Sequence, residues 1–465
     1  MASANDLHFP ARAYARREVE NGSFTDAVVT FLDGTSTPRA YLEGYLEQLE
    51  AQEPQIKAFV HFDIAKARAQ ADLSTERYRT GQALSALDGL PIGVKDVIDT
   101  EDFPTAYGSK LFAGHQPLWD AACVYWLKKA GAIIVGKTVT TEFATQPPGP
   151  TRNPWDLTRT PGGSSSGSAA AVASGMVPLA LGTQVKGSLM RPAGYCGVFG
   201  LKPTYGVISN QGLLPFSRGI NHLGTLARSL EDAWRVVYLL SRSVGGEPGY
   251  SSLPAALSLV PAATKPRRIA LLETLGWGRT PAAAAGAYEG LQRALTAQGI
   301  ELVTRKDIDS IEQLEILMTG APEMTNAFRD WECRYPLIPY YERAPDKIEA
   351  ETVGRIQKSL SKIEPERYDR ALRQRERIRQ AYEAIAEVAD ACMTLTTPGP
   401  APVGFQTGDS SFIDVFSIIG CPTLSLPLLT VDGLPQGVQL TGFNRRDEQL
   451  VGHGLWLTHC LGDVS

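Results

Sequence analysis

The stretch PGGSSSGSAAAVASGMVPLALGTQVKGSLMRPAGYCGVFGLKPTYG, residues 161–206, decides how the rest of the chain is read. Its glycine-rich opening carries Ser164, Ser165, Ser166 and Ser168 and runs into Ala169–Ser174, a block of small residues closed by Gly175. A helix with so little side-chain bulk packs close against a sheet, and glycine just past the last turn is a regular stop. Val177–Leu181 is an apolar run of strand length ending at Gly182, so the expected unit is loop, helix, strand and loop. The second loop, Thr183–Arg191, presents Ser188 directly after Gly187.

Outward from this stretch the same alternation recurs. Leu90–Val94 is a short apolar run that leads to Lys95. Asp120 is placed to cap a helix that stops at Gly131, and Ala132–Val135 reads as a buried strand ended by Gly136-Lys137-Thr138. Arg267–Leu272, Ala284–Gln298 and Ile300–Val303 repeat strand, helix and strand, and Phe412–Gln439 returns to short apolar runs broken by Gly and Pro. Such alternation predicts an α/β fold whose sheet is covered on both faces. The first 85 residues read as helical: Thr37 is an N-cap, Pro38 sits at the first helical position, and Leu42, Tyr45, Leu46 and Leu49 share one face. Ile64–Tyr78 is a second helix. Residues 310–390 are helical and charge-laced, with an aromatic cluster of Trp331, Tyr335, Tyr340 and Tyr341. Core-type elements resume after residue 390, so that stretch reads as an insertion that shapes the substrate pocket. One domain over residues 1–465 is expected, with a helical part to about 85 and a chemistry-bearing core over about 86–240.

The 465 residues are 43% hydrophobic and 20% charged, which excludes a disordered or fibrous chain. A net charge of −5 gives no global field favouring nucleic acid or an anionic membrane. No apolar run approaches the roughly 20 residues of a spanning helix. The N-terminal segment has no apolar core after its charges, so no secretory signal is expected. Six scattered cysteines with no CxxC pair read as reduced thiols of a cytoplasmic protein.

Two loops carry the candidate chemistry. The Gly162–Ser168 loop by itself fits a plain turn, an anion cradle or a nucleophile site, and it lacks the GxxxxGK[ST] spacing of a phosphate loop. The Thr183–Ser188 loop shifts the reading, because a serine beside glycine and consecutive backbone amides can meet charge developing on an attacked carbonyl. A serine hydroxyl needs a base within reach. None of His8, His61, His115, His222, His453 and His459 falls in a catalytic motif, and no HExxH or Cys/His spacing points to zinc. The remaining base is a lysine kept neutral by burial, and Lys95 after its apolar run is the candidate. Taken alone, such a lysine is more often a solvated strand end.

Residues 161–206 resemble the signature of the amidase signature family. GLPIGVKDVIDT (89–100), GAIIVGKTVTTEFA (131–144), RNPWD (152–156) and GCPTLSLPLLTVDGLPQGVQLTG (420–442) support the resemblance in the expected order. It implies an α/β/α sandwich around a large mixed sheet and a Ser–cis-Ser–Lys triad. By position, Ser188 is the implied nucleophile, Ser164 the bridging serine after a cis peptide bond, and Lys95 the base. The backbone N–H groups of Val185, Lys186, Gly187 and Ser188 are the implied oxyanion donors, and Ser165 and Thr183 are expected to orient the triad by hydrogen bonds. No cofactor and no metal is implied.

The resemblance implies a hydrolase acting on a small amide, ureide or carbamate, the last being the reaction of a urethanase, through an acyl-enzyme. The alternatives are a glutaminase-type subunit of a tRNA-dependent amidotransferase and a non-catalytic binding relative. A homodimer is allowed for; nucleic acid and membrane partners are not expected. The chain departs from the commoner family run at Gln184, where Asp is usual, at Lys186, where a small residue is usual, and at Arg191, which stands one place later than usual. Ser166 also replaces a glycine. Lys186 either faces solvent or binds a substrate carboxylate, and Tyr107, Tyr195 and Phe216 are candidate pocket walls.

Overall fold

The computed structural model describes Tyr14 and residues 22–461. The remaining residues, including His8 and most of the N-terminal segment considered above, lie outside the described residues. Eleven strands form one sheet: β1 (Phe59–Phe62), β2 (Pro91–Lys95), β3 (Ile133–Thr138), β4 (Leu179–Gln184), β5 (Phe199–Lys202), β6 (His222–Ala227), β7 (Arg268–Leu271), β8 (Glu301–Val303), β9 (Ala391–Leu395), β10 (Thr423–Val431) and β11 (Leu434–Thr441). Their order is β1-β3-β2-β4-β6-β5-β10-β11-β9-β7-β8. The sheet is mixed. β3, β2 and β4 run parallel, as do β9, β7 and β8, whereas the strands from β4 through β6, β5, β10 and β11 to β9 pair antiparallel.

Side chains alternate across a strand, so β10 shows what covers each face. Ser425 packs beside Gly200 and Gly437, against the helix Met190–Cys196. Leu424 and Leu426, its neighbours of opposite orientation, meet Gly454 of the helix Asp447–Cys460. Helices therefore lie on both faces, and the α/β/α sandwich expected from the sequence is the observed fold.

Local signals account for several boundaries. The helix Pro38–Ile56 starts where expected, with the Thr37 hydroxyl accepting from the Ala40 N–H at 3.1 Å. The second N-terminal helix runs over Ile64–Arg79. Asp120 does not cap the helix Ala122–Lys129: its carboxylate accepts from the Glu101 N–H and pairs with Lys128. Gly136-Lys137-Thr138 continues β3 rather than ending it, because Lys137 finds buried partners there. The small-residue helix spans Ser166–Ala173, so its first turn contains Ser166 and Ser168, two of the four serines assigned to the loop. The 310–390 stretch is helical throughout most of its length and lies between β8 and β9. No helix among the described residues is long and apolar enough to cross a membrane.

Candidate active site

β2 and β4 are adjacent parallel strands in register, Val94 opposite Leu181, so their C-terminal ends bring Lys95 level with the Gly182–Ser188 turn. The carboxyl edge of parallel strands is where α/β sheets gather ligand-binding loops. Gly182 is there for space: a Cβ would lie 2.9 Å from Ser165 Oγ and 2.5 Å from Leu189 Cδ1. The Ser165 N–H donates to the Ser188 carbonyl at 3.1 Å, which ties the two serine loops together. Ser165 Oγ also donates to the Thr183 carbonyl and accepts from the Thr183 N–H, both at 3.3 Å.

Lys95 is wholly buried, and its Nζ lies 2.7 Å from Ser164 Oγ and 2.9 Å from Thr183 Oγ1. Neither hydroxyl carries a charge to stabilise ammonium. Burial holds the Lys95 pKa well below its ordinary value, and the nearby Arg191 guanidinium pushes it the same way. A neutral amine has one lone pair and two N–H groups, so it can accept from one of these hydroxyls while donating to the other. Ser164 follows a cis peptide bond from Gly163. Ser164, Thr183, Val185 and Ser188 line one narrow cleft with Leu214 and Phe216.

Two residues that the sequence marked only as departures brace this cleft. Gln184 Oε1 accepts from the backbone N–H groups of Leu189 and Met190, each at 3.0 Å, while its Nε2 donates to Ser417 Oγ at 3.1 Å. Its carboxamide thus closes the Ser188 loop and, unlike a carboxylate, adds a donor towards Ser417. Arg191 is buried and donates to the Gly163 carbonyl at 2.5 Å and the Gly408 carbonyl at 3.0 Å. It holds the segment that presents Ser164.

The candidate pocket walls separate. Phe216 lines the cleft. Tyr107 is instead buried with its hydroxyl donating to Asp99 at 2.8 Å and its ring edge-on to Phe112. Tyr195 is buried beside Arg191, packed against Gly162 and Gly408. Neither is among the residues that line the cleft. The Lys186 side chain is about one-third exposed. Its Nζ lies 3.3 Å from Asp414 Oδ2, and it lines a pocket other than the serine cleft. Asp414 is buried and also accepts from Thr325 Oγ1 at 2.6 Å, so a waiting carboxylate had already fixed where the cation goes. Leu213, Leu214 and Asn221, which complete the cleft, carried no sequence signal.

The Amidase family model matches residues 40–451, and the chain belongs to that family, the amidase signature enzymes. It is 33% identical to a glutamyl-tRNA(Gln) amidotransferase subunit of Chloroflexus aggregans, over 94% of this chain and 93% of that protein. Among solved structures it resembles an amidase at 30% identity and a TM-score of 0.83, covering 94% of this chain and 99% of that one. It also resembles the peptide amidase of Stenotrophomonas maltophilia, at 25% identity and a TM-score of 0.75, over 94% and 96% of the two chains. The family and these neighbours make the protein a hydrolase acting on carbon–nitrogen bonds.

Proposed function

We propose that this chain, acting as one amidase unit, hydrolyses the C–N bond of a small amide, ureide or carbamate through an acyl-enzyme on Ser188. The observation that carries the reading is Lys95: fully buried, without a carboxylate partner, and 2.7 Å from Ser164. Neutral Lys95 draws a proton through Ser164 as Ser188 Oγ attacks the substrate carbonyl. Charge on the carbonyl oxygen is met by backbone N–H groups of Val185, Lys186, Gly187 and Ser188. Collapse of the tetrahedral intermediate breaks the C–N bond, with the proton returned through Ser164 to the leaving nitrogen. Water activated by the same pair then cleaves the acyl ester and restores Ser188.

The names of the curated relatives favour a second reading, in which the chain is the glutamine-hydrolysing component of a tRNA-dependent amidotransferase. Gln184 and Lys186 in the nucleophile loop weigh against it, since that component carries the commoner run of the family. The purified chain alone, given a panel of aryl amides, ureides, carbamates and glutamine, separates the two. Amine or ammonia release from the small substrates without any partner protein is expected. Release from glutamine only, and only with partner proteins added, would establish the second reading.

A further inference from the structure

Helices of the 310–390 stretch line a partly open pocket that shares Phe216 with the serine cleft. The join is covalent as well. Ala144 lines the cleft and the next residue, Thr145, lines the cavity. Gln146 then anchors the helix Ala350–Leu360, its carbonyl accepting from Thr352 Oγ1 at 2.6 Å and its Oε1 accepting from Arg355 Nη2 at 2.8 Å. The pocket is thus an immediate neighbour of the serine cleft.

The cavity wall is apolar, with Leu337, Ile356 and Leu360, yet three arginines line it: Arg329, Arg334 and Arg355. Arg334 is stacked on the Trp331 ring at 3.8 Å. Arg329 and Arg355 each have one carboxylate, held at long range. Arg355 is 3.8 Å from Glu351 and Arg329 is 4.0 Å from Asp330. Asp330, the acidic residue in this wall, is already committed at 2.7 Å to Arg367 and at 2.8 Å to Ser359. The near hydrogen bonds of the two arginines go to neutral side-chain oxygens, of Gln146 at 2.8 Å and Asn326 at 3.2 Å. The two guanidiniums repel: burial holds Arg355 below its usual range and Arg329 pushes it further down. Two cations lining an apolar space, each with its carboxylate no nearer than 3.8 Å, have donors left for a further carboxylate.

Resting on the amidase reading above, we infer that the substrate carries a carboxylate at the far end of an apolar chain, bound between Arg329 and Arg355. The decisive test is binding, which does not need turnover. In a Ser188→Ala variant, calorimetry should show hexanoate binding at least ten-fold more tightly than hexanamide. Adding Arg355→Met or Arg329→Met should remove that preference, and Arg355→Lys should retain part of it. Equal binding of hexanoate and hexanamide, or a preference that survives loss of both arginines, would overturn the inference. So would inorganic phosphate binding as tightly as hexanoate, since that would mark a bare anion site with no role for the apolar wall. Arg355 lies on the outer part of the insertion, so its variants decide the matter if Arg329→Met does not fold. In the active chain, the kcat/KM ratio of adipic mono-p-nitroanilide to hexanoyl p-nitroanilide should exceed ten and fall towards one in Arg355→Met. Hydrolysis of neither anilide would count against the amidase reading and leave the binding result to judge the carboxylate site.

Discussion

Lys95 and Lys137 stand near the ends of neighbouring parallel strands, β2 and β3, with Val94 opposite Lys137 and Lys95 opposite Thr138. Both are completely buried. They differ in what meets the ammonium. Lys137 Nζ lies 3.2 Å from Asp96 Oδ1 and donates to the Ile98 carbonyl at 2.8 Å and Thr105 Oγ1 at 2.5 Å. Burial pulls its pKa down, while Asp96 opposes the shift. Lys95 has two hydroxyls and the repulsion of Arg191, so burial acts on it unopposed. One lysine braces the sheet and the other is available as a base, although residue type, burial and strand position are alike. The residues around Lys137, GAIIVGKT (131–138), even have the spacing of a phosphate loop, but residues 133–138 are strand and the lysine is occupied.

The comparison breaks most readily at Ser188, because a neutral Lys95 is useful only if there is a nucleophile to deprotonate. Ser188→Ala should leave less than about a hundredth of wild-type kcat with an unchanged far-ultraviolet circular dichroism spectrum. Activity above that level would remove the nucleophile assignment and the contrast with it.

Exchanging the two lysines sharpens the contrast further. Lys95→Met should approach the loss seen for Ser188→Ala while costing little stability in urea unfolding, because no buried anion is stranded. Lys137→Met should do the reverse in kind: Asp96 loses its buried counterion, and unfolding free energy should fall by about 3–5 kcal/mol. Equal stability losses for the two variants would show that Lys95 is structural.

A smaller effect is expected at Arg191. The proposed mechanism requires the base form of Lys95, so kcat/KM should rise with pH through the lysine pKa and level off above it. The downward shift places this limb below the ordinary lysine value of ~10.4. Arg191→Met removes a neighbouring positive charge, which raises the Lys95 pKa and moves the limb to higher pH. It also frees the Gly163 carbonyl, so kcat at the plateau should fall about ten-fold, the scale of one charge-assisted hydrogen bond. A pH profile that keeps its position in Arg191→Met would assign the arginine to packing alone.

What the sequence made legible follows from how local each cause is. The Thr37 cap, the small-residue helix and the α/β alternation depend on neighbours in the chain and were visible there. The three triad positions were legible through resemblance, and the structure brings Lys95 and Ser164 into contact and Ser188 to the same cleft. β1, β5, β6 and β9 were missed: each runs only four to six residues, and β1 lies inside the N-terminal stretch that reads as helical. The aromatics show the same limit: Tyr107, Tyr195 and Phe216 are alike as letters, but Asp99 occupies the first and Arg191 neighbours the second. Arg329 and Arg355 were hidden in a charge-laced stretch, and what singles them out is the commitment of Asp330 to Arg367.

Lys186 provides the smallest expected effect and a control on the lysine comparison. It resembles Lys137 in having a carboxylate, Asp414 at 3.3 Å, but about a third of its side chain is exposed. Exposure screens the pair, so its loss should cost much less than the loss of the Lys137 pair, roughly 1 kcal/mol in urea unfolding of Lys186→Met. Asp414 keeps its hydrogen bond from Thr325, which limits the damage. Because the ammonium points to Asp414 rather than into the Ser188 cleft, acidic and neutral anilides should lose kcat/KM in parallel, by less than about three-fold. The same pair of substrates should diverge in Arg355→Met. If instead Lys186→Met selectively weakens the acidic substrate, the carboxylate is read in the nucleophile loop and not in the helical insertion.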